Sequence, residues 1–242
     1  MEKIVAAAIQ LCADVGSTRH NFDKAMELVS QAINESARLI VLPEFFTSAM
    51  ALSPLMEDVA RRNRELHIAE RFAEMATRHS CVIAGSFLNI ISGNIYNSML
   101  VQFPDGEQFV HNKDIPTQFE NRYYTDGDHT RARQGVGVAL CWEMLRVQTI
   151  LQMPSDVRVV AAESCWWDVP DGHANAEIRK HNHDLNRETP SQFAIKVGAP
   201  VIHASHVGSV VGLRNGVSDE TVTRQLIGTT QIADHNGRAK SA

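Results

Sequence analysis

Three polar side chains with complementary chemistry stand where strand-like stretches of the sequence end; two of these stretches are apolar and the one before Lys113 is polar. Glu44 follows the run LIVLP, Lys113 ends the stretch VHNK, and Cys141 follows the run VGVAL. In an open α/β sheet, ligands bind beyond the carboxyl ends of the strands, so polar residues placed there are candidates for chemistry. Each residue also has a structural interpretation: a loop carboxylate, a solvated lysine or a core thiol.

The three residue types together suit nucleophilic attack on a carbonyl carbon. A cysteine thiol has an ordinary pKa of about 8.5 and needs a base or a positive neighbour to react well at neutral pH. Glu44 is a candidate to accept the thiol proton, and Lys113 would favour the thiolate and attract the oxyanion formed on attack. A helix beginning directly after Cys141 would aim the backbone N–H of Trp142 at the same oxyanion.

The other cysteines and the histidines show no pattern typical of a metal site. Cys12, Cys81 and Cys165 are scattered singly with no CxxC pair, and we expect Cys12 and Cys81 to be small core residues. On a helix, His181 and His183 would point apart. No His-x-Glu occurs, which disfavours a Cys-His-Glu glutaminase triad. We therefore expect neither metal nor cofactor. The remaining histidines considered are His173, His203 and His206.

Composition predicts one large α/β domain spanning residues 1–242, because a chain of this length that is 44% hydrophobic can bury a substantial core. The net charge of −5 provides no basic surface, which argues against nucleic acid as a partner. No apolar run approaches the ~20 residues of a membrane span, and the N-terminal run is too short for a secretory signal. We expect a cytoplasmic protein without a membrane partner.

Continuous apolar runs alternate with segments of helical periodicity, a pattern typical of a layered α/β fold with mixed sheets. A hairpin-like region at 81–111 adds antiparallel pairing. After the last run, an Asn-Gly turn leads into the start of a further strand, and we expect a C-terminal segment beyond Ala242. Strands are predicted at 4–10, 38–44, 81–87, 96–103, 136–141, 157–164, 199–206 and 228–234, and helices at 21–36, 57–79, 142–153 and from Thr189 onward.

The surrounding motifs resemble those of the nitrilase superfamily of carbon–nitrogen hydrolases. Glu44 in IVLPEFF, Lys113 in HNKDIPTQFENRYYTDGD and Cys141 in GVALCWEM are similar to the general-base, lysine and nucleophile motifs of that family, in the same order. Glu120 matches a second glutamate near the lysine. Later segments also match, so the resemblance spans essentially the whole chain, although LRVQ at 145–148 replaces the Arg-Phe-Pro-Glu of many members.

The resemblance implies a four-layer α-β-β-α sandwich that forms a homodimer or higher homo-oligomer through its helical layer. It also implies acyl transfer through a cysteine thioester, with Glu44 as base and Lys113 stabilising the oxyanion. Glu120 either hydrogen-bonds near Lys113 and the substrate nitrogen or braces the structure. We expect four aromatic residues to contact the substrate, although each is also a candidate core residue. They are Tyr124, Trp142, Trp166 and Trp167.

Three functions follow from this resemblance. The run from Asn121 to Asp128 is closer to the amidase and carbamoyl-hydrolase branches, which favours a small linear amide or N-carbamoyl compound as substrate. The sequence CWE at 141–143 resembles the nitrile-cleaving branch, so a nitrilase is the alternative. A catalytically inactive nitrilase-fold binding module is an alternative of another class. The presence of all three triad residues disfavours the inactive module.

Overall fold

Two β-sheets packed face to face form the centre of the computed structural model. The structure describes residues 4–127, 130–170, 172, 175–216 and 220–241. Every predicted strand overlaps an observed one, although β4 and β5 extend beyond the predicted ranges 81–87 and 96–103.

The first sheet is mixed, with parallel strands at one side and an antiparallel meander at the other. Its strands, numbered along the chain, are β1 (Ala6–Ala8), β3 (Leu39–Val41), β4 (Val82–Ile91), β5 (Asn94–Gln102) and β6 (Gln108–Asn112). They lie in that order across the sheet, and β1, β3 and β4 are parallel. The predicted hairpin region is the antiparallel meander β4-β5-β6.

The second sheet carries the nucleophile strand at its parallel centre. Its strands are β2 (Gln10–Leu11), β7 (Ala132–Arg133), β8 (Val136–Leu140), β9 (Val159–Ser164), β10 (Val201–His206), β13 (Gln231–Ala233) and β14 (Ala239–Ser241). The strands β8, β9 and β10 are parallel, and β2 also pairs with β10. A separate hairpin consists of β11 (Ser209–Leu213) and β12 (Thr221–Gln225).

Five helices cover the outer faces of the two sheets. They are α1 (Thr18–Asn34), α2 (Leu55–Asn63), α3 (Ile68–His79), α4 (Val147–Gln152) and α5 (Ala176–Val197). None of the described helices combines the length and apolar character needed to cross a membrane.

Alternation along the strands assigns side chains to different layers. Leu39 and Val41 pack between the sheets with Val138 and Leu140, whereas Ile40 points to the other face of its strand. This is the period of two expected for a strand that is covered on both faces.

The helical layers complete the sandwich. Phe22 of α1 and Phe72 of α3 share one core with Ile40 on the outer face of the first sheet. Phe193 of α5 packs with Val160 on the outer face of the second sheet. The layers are therefore α-β-β-α, as predicted.

Two predicted helices are divided in the structure. The helix predicted at 57–79 begins at Leu55 and breaks at His67, which adopts the left-handed φ of 51°. The helix predicted at 142–153 is a 3-10 segment at Cys141–Leu145 followed by α4. Arg146 between them is extended, and its guanidinium lies 2.6 Å from the Asp114 carboxylate. Side-chain partners distant in sequence thus override the helical periodicity.

The prediction that the last helix starts at Thr189 was wrong. Helix α5 starts at Ala176, where the side chain of Asn175 accepts a hydrogen bond from the N–H of Ile178. Pro190 therefore lies inside the helix rather than in its first turn. The first half of α5 is mostly polar, so it lacks the apolar stripe from which a helix is recognised in sequence. After the predicted Asn-Gly turn, β14 pairs with β13.

Candidate active site

Cys141 is the first residue after β8, and its backbone is held in an uncommon conformation. Its φ of 51° lies in the left-handed region, which residues other than glycine seldom adopt. Such backbone strain clusters at functional sites, where the surrounding structure holds it in place. Cys141 lines a pocket of about 380 Å³, a volume within the range of small-molecule sites.

Glu44 follows β3, and three hydrogen bonds hold its carboxylate. Its Oε1 accepts hydrogen bonds from Asn97 Nδ2 at 2.8 Å and from Lys113 Nζ at 3.0 Å. Its Oε2 accepts a hydrogen bond from the backbone N–H of Cys165 at 2.9 Å. Burial raises the pKa of Glu44, while Lys113 acts in the opposite direction. A carboxylate with a raised pKa is better suited to accept a thiol proton.

Lys113 follows β6 and lies between two carboxylates in the interior. Its Nζ is 3.0 Å from Glu44 Oε1 and 3.3 Å from Glu120 Oε2. Burial alone would lower the pKa of Lys113, but the charges of Glu120 and Glu44 raise it well above its ordinary value. The lysine is therefore a fixed positive charge at this site.

Glu120 links the lysine to the pocket. It lines the pocket, and its Oε2 accepts hydrogen bonds from the backbone N–H of Thr117 at 3.2 Å and from the Tyr124 hydroxyl. The Tyr124 ring centroid lies 5.9 Å from Lys113 Nζ. Tyr124 is buried and is not among the described residues that line the pocket, so the structure places it in support of Glu120 rather than on the pocket wall.

The environment of Cys141 favours the protonated thiol. Burial raises the pKa of Cys141 well above its ordinary value, and the Glu44 charge acts in the same direction. Lys113 lowers the pKa, as the sequence predicts, but its effect is outweighed. The arrangement therefore favours removal of the proton by Glu44 during attack over a preformed thiolate.

The three predicted tryptophans all line the pocket. The rings of Trp142 and Trp166 stack with centroids 5.8 Å apart and planes inclined by 19°. Trp142 is 40% exposed, and its N–H lies in the first turn of the 3-10 segment, where such groups have no partner within the helix. Because this segment has five residues, its dipole is smaller than that of the predicted helix.

Several supporting residues were not identified from the sequence. Asn97 and Cys165 hold Glu44, and His206 Nε2 lies 2.8 Å from the Glu44 backbone oxygen. Burial lowers the pKa of His206 to about 4, so the ring is neutral and serves as a hydrogen-bond donor. Asn97 gave little signal in the sequence, because β5 also contains the polar residues Asn94, Ser98 and Gln102.

Two of the other histidines considered in the sequence contact neighbouring polar groups. His203 contacts the Ser164 hydroxyl and the Thr229 carbonyl, and His183 contacts Asp168. Among the residues with a described position, no group of three or more His, Cys, Asp or Glu side chains is arranged to hold a metal ion. His173, and Asp128 of the family-like run, lie outside the described residues.

Glu143 connects the turn after β8, which carries Cys141, to the segment after β6, which carries Lys113. Its carboxylate accepts hydrogen bonds from the backbone N–H groups of Leu140 at 2.8 Å and Asp114 at 3.0 Å. It also pairs with Arg131 at 2.7 Å and contacts His111 at 3.1 Å. Burial alone would raise the pKa of Glu143, but His111 and Arg131 lower it below its ordinary range. The buried anion therefore fixes Cys141 relative to Lys113.

We expect Glu143→Gln to destabilise the fold by roughly 3 kcal/mol, because breaking one partner of a buried ion pair leaves the other charge uncompensated. Urea unfolding monitored by circular dichroism measures the effect. The control is Glu107→Gln, which removes an exposed carboxylate paired with Arg133 and should leave the midpoint nearly unchanged. Equal midpoints for the two variants would show that the Glu143 network does not hold the turn.

Known proteins resemble this chain in sequence and in fold. A family model described as carbon-nitrogen hydrolase matches residues 5–241. A curated protein from Paraburkholderia phymatum named nitrilase is 28% identical over 159 residues. That match covers 58% of this chain and 47% of the relative, so the aligned part spans about half of the relative's length.

Solved structures share the fold at low sequence identity. A carbon-nitrogen hydrolase from Helicobacter pylori G27 is 20% identical, with a TM-score of 0.75 over 99% of this chain and 85% of that one. A mutant amidase from Nesterenkonia sp. AN1, with acrylamide added at its active-site cysteine, is 13% identical. Its TM-score is 0.71 over 96% of this chain and 85% of that one. With the family model matching nearly its whole length, the chain belongs to the carbon-nitrogen hydrolase family.

Proposed function

We propose that the protein hydrolyses the carbon–nitrogen bond of a small amide or N-carbamoyl compound through a thioester on Cys141. The observation that carries this proposal is the buried Glu44–Lys113 ion pair, whose charges act on the thiol of Cys141 at the pocket. A protonated nucleophile, a base of raised pKa and a fixed cation are the groups that acyl transfer requires.

In the first half-reaction, Glu44 takes the Sγ proton of Cys141 as the sulfur bonds to the amide carbon. The carbonyl oxygen becomes an oxyanion, which Lys113 Nζ and the N–H of Trp142 stabilise. Glu44 then gives its proton to the departing nitrogen as the carbon–nitrogen bond breaks. Ammonia or an amine leaves, and the acyl group remains on Cys141.

In the second half-reaction, Glu44 takes a proton from water as the water oxygen attacks the thioester carbon. The same two donors stabilise the second oxyanion. The carbon–sulfur bond breaks, the sulfur recovers a proton from Glu44, and the acid departs. One carboxylate thus serves as base and acid in turn, because its pKa is set between opposing effects of burial and Lys113.

Nitrile hydrolysis is the second candidate, favoured by the name of the curated relative. A nitrile also forms a covalent adduct with a cysteine thiolate, so the same three residues serve either substrate. A panel of aliphatic amides, N-carbamoyl amino acids and nitriles, assayed for ammonia, separates the two candidates. We expect release from amides or N-carbamoyl compounds. Release from nitriles alone, with the matching amides neither hydrolysed nor inhibitory, would overturn the proposed substrate class.

An inactive binding module is tested by the reactivity of the cysteines. We expect iodoacetamide to alkylate Cys141 faster than the buried Cys81, because Cys141 lines the pocket and, in the proposed mechanism, Glu44 accepts its proton as the sulfur attacks. Mass spectrometry of peptides over time measures both rates. Equal, slow labelling of the two thiols would favour the inactive module.

We also propose that the protein forms a homodimer through the layer containing α4 and α5. Leu151 on α4 is 79% exposed, and Val147, Ile178 and Ile195 are further exposed apolar residues on these helices. Exposed apolar side chains gathered on one helical layer are candidates for an association surface.

Leu151→Glu is expected to convert the dimer to a monomer, because a charge in the contact must be desolvated. Size-exclusion chromatography with light scattering measures the mass. Leu55→Glu, an exposed leucine on α2 in the opposite helical layer, is the matched control. A monomeric wild-type protein would contradict the proposal.

A further inference from the structure

One wall of the pocket carries a buried guanidinium on the hairpin β11–β12. Arg224 of β12 lines the pocket and is 5% exposed. Its Nη2 donates hydrogen bonds to the backbone oxygens of Leu213, at 3.4 Å, and Arg214. Since arginine has five N–H donors, the three on Nε and Nη1 make no hydrogen bond to any described residue.

Arg224 also lacks a counter-charge among the described residues. Within the described part of the chain, no carboxylate forms an ion pair with its guanidinium, and burial alone lowers its pKa. A buried charge without an ionic partner carries a desolvation cost that two backbone oxygens offset in part. A ligand that supplies an anion would complete its coordination.

The other charged groups of the pocket are already paired. Asp168 accepts hydrogen bonds from Arg179 at 2.6 Å and Asn182 at 3.2 Å, and it contacts His183 at 3.1 Å. Arg214 pairs with Glu220 at 3.0 Å. Arg224 is therefore the pocket cation that lacks an anion among the described residues.

Arg224 lines the same pocket as Cys141 and packs against Trp167. Its Cζ lies 5.3 Å from the centroid of the Trp167 ring, and Trp167 forms a bridge with Leu226 of the hairpin segment. Trp167 follows Cys165, whose N–H holds Glu44, by two residues. The pocket lining thus includes Cys141, the tryptophans and the guanidinium.

Resting on the proposed function, we propose that Arg224 binds a carboxylate at the end of the substrate opposite the scissile bond. The preferred substrates are then short amides that carry a distal carboxylate, such as the monoamide of a dicarboxylic acid. Arginine suits this role because its planar N–H groups pair with both oxygens of a carboxylate. The Trp167 ring packs against the guanidinium and restricts its movement.

The test compares two amides of the same shape. Succinamate carries the carboxylate, and levulinamide replaces it with a methyl ketone. We expect wild-type kcat/KM to favour succinamate by at least about tenfold, mainly through KM, because levulinamide leaves the arginine donors unpaired. Equal kcat/KM values for the two amides would overturn the proposal.

Variants assign that preference to Arg224. In Arg224→Gln the ratio of kcat/KM values is expected to fall toward one, and Arg224→Lys should recover part of it by restoring the charge without the planar fork. Arg133→Gln removes an equal charge from an exposed pair on β7 and is the matched control. An unchanged ratio in Arg224→Gln, or an equal loss in Arg133→Gln, would contradict the assignment.

A binding measurement separates this proposal from the proposed function. Calorimetry with succinate and the Cys141→Ser protein requires no turnover. Binding that is lost when Arg224→Gln is added supports the carboxylate site even if no amide is hydrolysed. If Arg224→Gln does not fold, as judged by circular dichroism, the Arg224→Lys protein replaces it. Absence of succinate binding to the folded Cys141→Ser protein would overturn the proposal even if neutral amides are hydrolysed.

Discussion

Replacing Cys141 with serine is expected to lower the rate of hydrolysis by at least about 10⁴-fold, the scale seen when a catalytic nucleophile is removed. A serine hydroxyl is far harder to deprotonate than a thiol, and Glu44 is a carboxylate, too weak a base for that task. The substitution exchanges sulfur for oxygen at a buried site and should retain the fold. An ammonia-release assay and circular dichroism measure the two effects.

The control for this substitution is Cys12→Ser. Cys12 is exposed and does not line the pocket, so the prediction that it is a core residue was wrong, whereas Cys81 is buried as predicted. The Cys12→Ser protein should retain wild-type turnover and tests whether any loss of a thiol harms the enzyme. Turnover of Cys141→Ser near the wild-type rate would remove Cys141 from the mechanism.

Lys113→Ala is expected to lower kcat by roughly 10²- to 10³-fold, the cost of one oxyanion donor. It also removes the cation that lies between the carboxylates of Glu44 and Glu120. Since Lys113 lowers the pKa of Glu44, its loss should raise that pKa further. Glu44 must be deprotonated to act as a base, so the acidic limb of the pH–rate profile should move to higher pH.

The comparison protein is Lys24→Ala, which removes an exposed lysine of α1. Rates and pH profiles of both variants, measured with one amide substrate, separate loss of local charge from a general effect. A Lys113→Ala rate within about twofold of wild type, with an unmoved acidic limb, would remove Lys113 from the site.

The sheets were predictable from sequence because their strands are covered on both faces. Such strands are short and continuously apolar, and they end where polar residues begin. Glu44 and Cys141 follow two such strands, whereas Lys113 follows the mixed strand β6 and was selected from its chemistry and its family-like motif. Their family-like motifs then added the order in which they occur along the chain.

The residues that support the triad were not predictable in this way. Asn97 and Cys165 are 53 and 121 residues from Glu44 in sequence, and both reach its carboxylate through tertiary packing. Glu143 was seen as part of a motif, but its bonds to Leu140 and Asp114 depend on two segments that meet in the fold. A local sequence pattern does not predict contacts between residues that are far apart in the chain.

Polar secondary structure was also missed. The first half of α5 and the hairpin β11–β12 lack the apolar periodicity by which elements are recognised. Arg224 belongs to that hairpin, so its position in the pocket emerges only from the structure. The Tyr124 hydroxyl likewise has a partner, Glu120, that its motif does not specify.

The most direct test of the account is to detect the acyl group on Cys141 itself. Wild-type protein is mixed with an amide substrate, quenched in acid during turnover and digested with trypsin for mass spectrometry. Cys141 lies in the peptide 134–146 and Cys165 in the peptide 159–179, so the two pocket thiols are resolved. We predict the acyl mass on peptide 134–146, absent from Cys141→Ser. Turnover with the acyl group on peptide 159–179, or hydrolysis that continues in Cys141→Ser, would contradict a thioester at Cys141.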